Sequence, residues 1–502
     1  MKNTAVAIAV LLLVPGTPAR LRPCTSVVVG RSASADGSVI FGHNEDDFGT
    51  RVVNAWRVPR LRHGSGEIIR FRDGAEIPQV PETWAMIWFQ VNGLEFSDYY
   101  CNEWGVAIAS DACSSREVED PELTDGGIGF PLRRIVAERA RTAREGVRIA
   151  GALLDRFGYV SSGRTLVICD PDEGWLLSMA AGKHWVAQRV PDDGVVVLPN
   201  TYVVRRVDPA DTMNFVLSRD DIMDHAVERG WWSPDRDGPF DFARAYRSRQ
   251  DDSEAREKRD FDLRQWRGLS FLTGSEIPEE EAAVNGLPFF MKPVRPVGIR
   301  DVMNLMRDHF EGTRFDVTAG PGANPHLQGE RPICHSTTLF SVVAGLRKAV
   351  PPPLRACLWI AFGRPDTTPF TPWYSGMTAV PGGFHNTPQI ESPGDAFARH
   401  FDPVPGTYDP DTLSAFWTFR NCANRVNEDY RDRIAAASET KRLIEGRMFA
   451  LAGEIEKQAV LIDRRSPEKT GPFLARHAAD AAVWAKETLK AALQGMPPDP
   501  DR

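Results

Sequence analysis

Cys24-Thr-Ser-Val-Val-Val-Gly-Arg-Ser-Ala-Ser-Ala-Asp-Gly-Ser-Val-Ile-Phe-Gly-His-Asn-Glu-Asp46 is the stretch that decides how this chain reads. β-Branched residues fill Thr25 to Val29, Asp36-Gly37 is a turn signal, and Ser38-Val-Ile-Phe-Gly42 resumes the β character. Together they predict a hairpin with Cys24 at the head of its first strand. His43-Asn44-Glu45-Asp46 then runs back toward that cysteine. A cysteine in this place gains special chemistry if it becomes residue one of a mature chain. A free α-amine has a pKa near ~8, so part of it is unprotonated at neutral pH and can accept the thiol proton. One residue then carries nucleophile and base together.

The residues before Cys24 fit that requirement. Lys2 is a short basic start, and Ala5 to Val14 is an apolar run. At about ten residues the run is too short to span a bilayer. Pro15-Gly16 breaks it, and Thr17-Pro18-Ala19 supplies small residues near a cleavage point, the pattern of a secretory signal peptide. Residues 1–23 are therefore expected to be a removable leader, and the protein to be exported. Two routes stay open. Signal peptidase cuts after Ala19 and a second, autocatalytic cut falls before Cys24, or Cys24 is a lipidated cysteine. Pro23 argues against lipidation, which wants a small residue there. No later stretch is long and apolar enough for a transmembrane helix.

Composition narrows the classes. The chain of 502 residues is 42% hydrophobic and 25% charged, ordinary values for a globular protein that needs no staples to hold a core. A formal net charge of -8 offers no basic field for nucleic acid. None of the seven cysteines forms a CxxC pair, and Asp308-His309 with His335 matches no metal-ligand spacing, so neither metal nor cofactor is expected. In an exported chain Cys101 and Cys113 are the leading disulfide pair, with buried free thiols as the alternative. Gly320-Pro-Gly322 lacks a following Lys-Ser/Thr and reads as a loop.

Along the chain, Ala85 to Val91 and Val106 to Ala109 continue the β pattern. Two helices follow. One carries Leu132, Ile135 and Val136, and the other begins at a Thr142-to-Glu145 capping box and ends at Gly158. Thr165 to Cys169, Trp175 to Ser178, Trp185 to Ala187 and Val195 to Leu198 read as further strands, with tryptophans packing the sheets. Residues 207–265 form a charged insertion with little β character. Asp301 to Phe310 reads as a helix, and Arg331 to Ala344 and Ala356 to Phe362 as late strands. Residues 24–425 are expected to form one α+β domain. A helical extension over 426–502 follows, with a disordered tail after Met496.

A thiol nucleophile needs a base, a group to orient it and donors for an oxyanion. Asp46 is a candidate to hold the amine, although it also suits a solvated turn. Asn200 closes Val197-Leu-Pro-Asn200, where its amide can donate to an oxyanion or simply end a turn. The opening stretch, with Asn102-Glu-Trp-Gly-Val-Ala-Ile108, Asp170-Pro-Asp-Glu-Gly-Trp175, Arg331-Pro-Ile-Cys334 and Pro369-Phe-Thr-Pro-Trp-Tyr374, resembles the dipeptidase A family of cysteine peptidases. These belong to the N-terminal-nucleophile hydrolases. The resemblance runs in order over most of the chain. It implies a four-layer αββα sandwich and hydrolysis of dipeptides, small peptide substrates, by a Cys24 exposed on leader removal, through a thioester. From the related acylases it implies a cation and an acid at His43 and Asp46, an oxyanion-hole amide at Asn200 and a distal arginine at Arg264. His43 is a departure, since many relatives are expected to carry arginine there and histidine is only partly charged near neutrality. Hydrolysis of N-acyl amides is the alternative within the class. An exported binding protein is the alternative outside it. A homo-oligomer stays open.

Overall fold

Thr25–Val29 and Val39–Asp46 pair antiparallel, with Thr25 opposite Asn44 and Ser26 opposite His43. Gly37 closes the expected turn with φ +76°, a conformation that costs glycine little. The second strand outlasts its apolar run because His43 to Asp46 go on to pair with Thr338–Leu346 on the other side. The structure is a computed structural model. It describes residues 24–47, 51–72, 74–219, 221–248, 261–327, 330–385 and 390–494. The expected leader over 1–23 and the tail after Met496 lie outside these.

The hairpin sits inside a six-stranded sheet. Its order is Val195–Leu198, Thr25–Val29, Val39–Asp46, Thr338–Leu346, Ala356–Phe362, Thr371–Tyr374. An eight-stranded sheet faces it, built from Val53–Val58, Met86–Val91, Tyr99–Asn102, Ala107–Ala112, Tyr159–Cys169, Gly174–Gly182, Trp185–Arg189 and Phe215–Leu217. Alternation along each strand sends one set of side chains between the sheets and the other toward helices. Phe41 meets Tyr99, and Phe362 meets Phe89, across the gap.

Helices Pro131–Arg139 and Ala143–Phe157 cover the outside of the eight-stranded sheet. Thr142 caps the second through Glu145 N at 3.1 Å, and Gly158 ends it at φ +77°. Val147, Ala150, Leu154 and Phe157 are fully buried on its inner face. Each large apolar side chain so buried contributes roughly 1.5–3 kcal/mol. Helices Leu263–Thr273 and Ile299–Met306 cover the other sheet. Gly42 allows the second of these close approach, because a Cβ there would stand 2.7 Å from Val302. The long helices Tyr430–Arg465 and Pro467–Gln494, preceded by Ala415–Glu428, extend this outer layer, with Phe449 stacked on Trp359 at 4.0 Å. The result is the expected α+β, four-layer αββα order. Among the described residues no helix is long and apolar enough to cross a membrane.

Two expectations need correction. Cys101 and Cys113 are not bonded, and all seven cysteines are free and buried. Cys101 lies opposite Ala107, and Cys113 lies a full strand further along, beyond reach of a disulfide. Arg331 to Thr337 is loop rather than strand, since pairing begins only at Thr338, well after Pro332. Among the described residues of 207–265, the short helices Ile222–Glu228, Pro234–Asp237 and Phe242–Tyr246 dominate, with one short strand, Phe215–Leu217, on the edge of the eight-stranded sheet and Phe242 and Tyr246 fully buried.

Candidate active site

Cys24 precedes the first strand of the six-stranded sheet, and its parity points the thiol between the sheets. The sulfur is 3.5 Å from Glu45 Oε1 and 3.8 Å from the carbonyl of Asp46. Burial, then the carboxylates of Glu45, Asp111 and Asp46, push the thiol well above its ordinary range. Three acids around a sulfur oppose a lone thiolate, but the same field favours a cation beside it.

Arg264 approaches from the helical side, in the first turn of Leu263–Thr273, which Asp262 caps. Its Nη1 donates to Cys24 O at 2.6 Å, to Asn200 Oδ1 at 3.1 Å and to Thr25 Oγ1 at 3.3 Å. Asp262 neutralises it at 3.6 Å. Arg264 therefore joins the nucleophile's backbone to the amide of Asn200. With Oδ1 held, Asn200 presents Nδ2, a buried donor that has no hydrogen-bond partner among the described residues. Asp46 Oδ1 accepts from the hydroxyl of Thr338, while its Oδ2 is a buried acceptor likewise without partner. Burial pushes Asp46 well above the usual carboxylate range, against the pull of Thr338 and Arg264. An unfilled donor and an unfilled acceptor thus belong to the two residues that Arg264 and Thr338 fix in place.

His43 takes a different place from the one its motif position implied. It does not touch Cys24 directly, because Glu45 stands between them. His43 Nε2 lies 3.1 Å from Glu45 Oε2 and Nδ1 lies 2.8 Å from Ser26 Oγ, whose hydroxyl donates to Asp111 Oδ2 at 2.6 Å. Burial pushes Asp111 up to about 6, with His43 and Ser26 pulling the other way.

Cys24, Asp46, Asn200 and Arg264 therefore converge, with His43 one residue removed. Sequence reading missed Glu45, Ser26, Asp111 and Thr338. Glu45 was within reach, since a strand places it on the same face as His43. Asp111 left a fainter signal, an acid inside the small apolar run Ala107-Ile-Ala-Ser-Asp-Ala112. Beyond Asp46 a cavity of about 130 Å³ opens, lined by Asp47, Thr337, Thr338, Arg364 and Arg420 among others.

Cys24 thus heads a strand of an αββα sandwich, with the Asn200 amide and the Asp46 carboxylate held near it. The chain belongs to peptidase family C69, whose model matches residues 23–442, and it is a peptide hydrolase. It is 29% identical over 383 residues to a probable dipeptidase of Salmonella dublin, covering 74% of this chain and 84% of that one. It is 25% identical over 396 residues to dipeptidase A of Lactobacillus helveticus, covering 73% and 78%. Probable dipeptidase B of Lactococcus lactis subsp. lactis matches at 24% over 468 residues, covering 88% and 95%. Among solved structures, a mutant of conjugated bile acid hydrolase from Clostridium perfringens aligns at 11% identity and a TM-score of 0.28, covering 68% of this chain and 89% of that one.

Proposed function

We propose that the protein is an exported dipeptidase in which removal of residues 1–23 makes Cys24 both N-terminal residue and nucleophile. The observation that carries this reading is the Arg264 clasp on Cys24 O and Asn200 Oδ1, which leaves Asn200 Nδ2 unfilled beside the sulfur's own residue. The acidic surroundings support it too. They penalise an isolated thiolate but hold a thiolate–ammonium pair, the product of proton transfer from Sγ to the new amine. The family match begins at residue 23, immediately before Cys24.

In the proposed reaction the thiolate forms a bond to the peptide carbonyl carbon. The carbonyl oxygen takes the negative charge and Asn200 Nδ2 donates to it. The intermediate collapses as the α-ammonium passes its proton to the departing amine nitrogen, and the C–N bond breaks. A thioester on Cys24 remains. Water then gives a proton to the amine, attacks the thioester and releases the second product with the thiol restored. His43 holds Glu45 through Nε2, and Asp46 Oδ2 receives the α-ammonium. A zwitterionic dipeptide needs contacts of both charge signs, which the cavity lining supplies in Asp47 and the Arg364 and Arg420 pair.

The test combines mass spectrometry of the active protein's N-terminus with assay of Cys24→Ala. The expected outcome is a chain beginning at Cys24, with turnover abolished in the variant. A working enzyme that still carries Pro23 on Cys24, or an active alanine variant, overturns the mechanism. A panel of dipeptides against N-acyl amino acids decides the substrate class, and preference for blocked amines replaces the dipeptide reading.

A further inference from the structure

Between the helix ending at Met306 and the strand starting at Thr338 no regular element occurs among the described residues. A connection of this length inside a compact domain calls for something that fixes it. Hydrogen bonds secure its ends. Asn44 Nδ2 donates to Met306 O and Ile333 O at 2.9 Å each, and Cys334 N donates to Asp308 O at 3.1 Å. At its centre lie four buried side chains, His309, His326, Cys334 and Asp366, the last from the loop after Ala356–Phe362. One ligand atom from each lies within 4.8 Å of all the others.

The free atoms of this cluster face one another. His326 Nε2 is 3.3 Å and His309 Nε2 is 4.0 Å from Asp366 Oδ2. Both Nε2 atoms and both Asp366 oxygens lack a hydrogen-bond partner among the described residues. The opposite ring nitrogens do have partners. His309 Nδ1 lies 3.0 Å from Glu311 Oε1, and His326 Nδ1 lies 2.8 Å from Asn427 Oδ1. Acceptors at both Nδ1 atoms place the protons there and leave each Nε2 with a lone pair directed into the cluster. This outer-partner arrangement is characteristic of metal-bound histidine. Two cations lie near Asp366: Arg364, whose Nε is 3.6 Å from Oδ1, and Lys441, whose Nζ donates to the Asp366 carbonyl. Phe310, next to His309, is held at φ +66°, a costly conformation for a bulky side chain.

We propose that His309, His326, Cys334 and Asp366 form a structural zinc site. Two imidazoles, one thiolate and one carboxylate match the ligand types of a borderline-soft divalent ion. The two anionic ligands neutralise its charge. A tetrahedral zinc with bonds of about 2.0–2.3 Å needs ligand atoms roughly 3.3–3.8 Å apart, so a small contraction of the cluster completes it. Four protein ligands leave no open position, which assigns the ion a structural part. Binding releases the Cys334 proton to solvent and breaks no covalent bond. The ion would cross-link the long connection to the loop bearing Asp366. It would thereby steady the segment that delivers Thr338 to Asp46.

The test uses the full-length protein and needs no activity measurement, so its result is independent of the proposed reaction. Elemental analysis is expected to find about one zinc per chain. His326→Ala and Cys334→Ser should each retain less than a tenth of that, while Cys169→Ser, in the eight-stranded sheet, keeps it. X-ray absorption of the zinc-loaded wild type is expected to show one sulfur at about 2.3 Å with nitrogen and oxygen neighbours at about 2.0–2.2 Å. That measurement keeps the test decisive where a variant fails to fold. Folded, chelator-stripped wild type that takes up no zinc, bound zinc without sulfur, or full zinc in both variants would overturn the proposal.

Discussion

Replacing Arg264 by methionine removes one guanidinium and leaves three acceptors behind. Cys24 O at 2.6 Å and Asn200 Oδ1 at 3.1 Å are the strong ones, and Thr25 Oγ1 at 3.3 Å is weaker. Hydrogen bonds to a charged donor contribute about 1.5–3 kcal/mol each, so the two strong ones place the folding cost at roughly 3–6 kcal/mol. The effect on turnover follows a separate route. Without Nη1 on its Oδ1, the Asn200 amide is free to rotate and Nδ2 loses its aim. Loss of one oxyanion donor lowers kcat about 10²–10³-fold. Arg264→Lys, which restores one bond but not the clasp, should recover about tenfold of this. The assay is steady-state release of free amino acid from a dipeptide, with urea denaturation in parallel to report the folded fraction. KM should stay within a few-fold, since the proposed mechanism gives Arg264 a positioning part and no contact with substrate. A folded methionine variant with kcat within threefold of the parent would refute the positioning role. A change confined to KM would reassign the arginine to substrate binding.

Other expectations follow from the same geometry. Glu45→Gln removes the nearest carboxylate to the sulfur, so the pH at which Cys24 reacts half-maximally with an alkylating agent should fall, and an unchanged profile counts against the field described above. Asp111 is raised from 3.8 to about 6, so the folded state holds its proton more tightly than the unfolded chain. Stability from this group is therefore full below about pH 4 and is lost as pH rises through 6, a change on the order of 3 kcal/mol. Denaturant titrations of wild type and Asp111→Asn across that range should show the slope only in the wild type. Gly151→Leu places a Cβ 2.4 Å from the Trp185 ring and should destabilise by about 1–3 kcal/mol or more, read as a lowered Tm, with no shift in the pH profile of activity.

The hairpin and its helices were legible because their signals are local. Asp36-Gly37 marks the turn, alternation marks the strands, and Thr142 with Gly158 brackets a helix. Val195–Leu198 and Ala356–Phe362 emerged with the bounds expected. The limits of Arg331 to Thr337 were misjudged because isoleucine and cysteine suggest a strand whose pairing partner Asp46 is engaged only from Thr338. The site divides in the same way. Cys24, His43, Glu45 and Asp46 share one hairpin, and strand parity would have added Glu45 to the others. Asn200 and Arg264 were named through a resemblance, and only the folded chain brings them to Cys24. The cluster of His309, His326, Cys334 and Asp366 left no trace, because its members come from irregular loops at unequal intervals. No template of ligand spacing describes such a set.

The link from Ser26 to Asp111 bears on when the sulfur meets its full set of acids. Ser26 belongs to one layer and Asp111 to the opposing one, so the proton chain through His43 spans the seam of the sandwich. A nascent hairpin already owns its sulfur, imidazole and neighbouring acids, yet lacks the far terminus of that relay. Until the two halves dock, the hairpin therefore keeps a more ordinary thiol, and the burial and the Asp111 carboxylate that raise Cys24 arrive only with the second sheet.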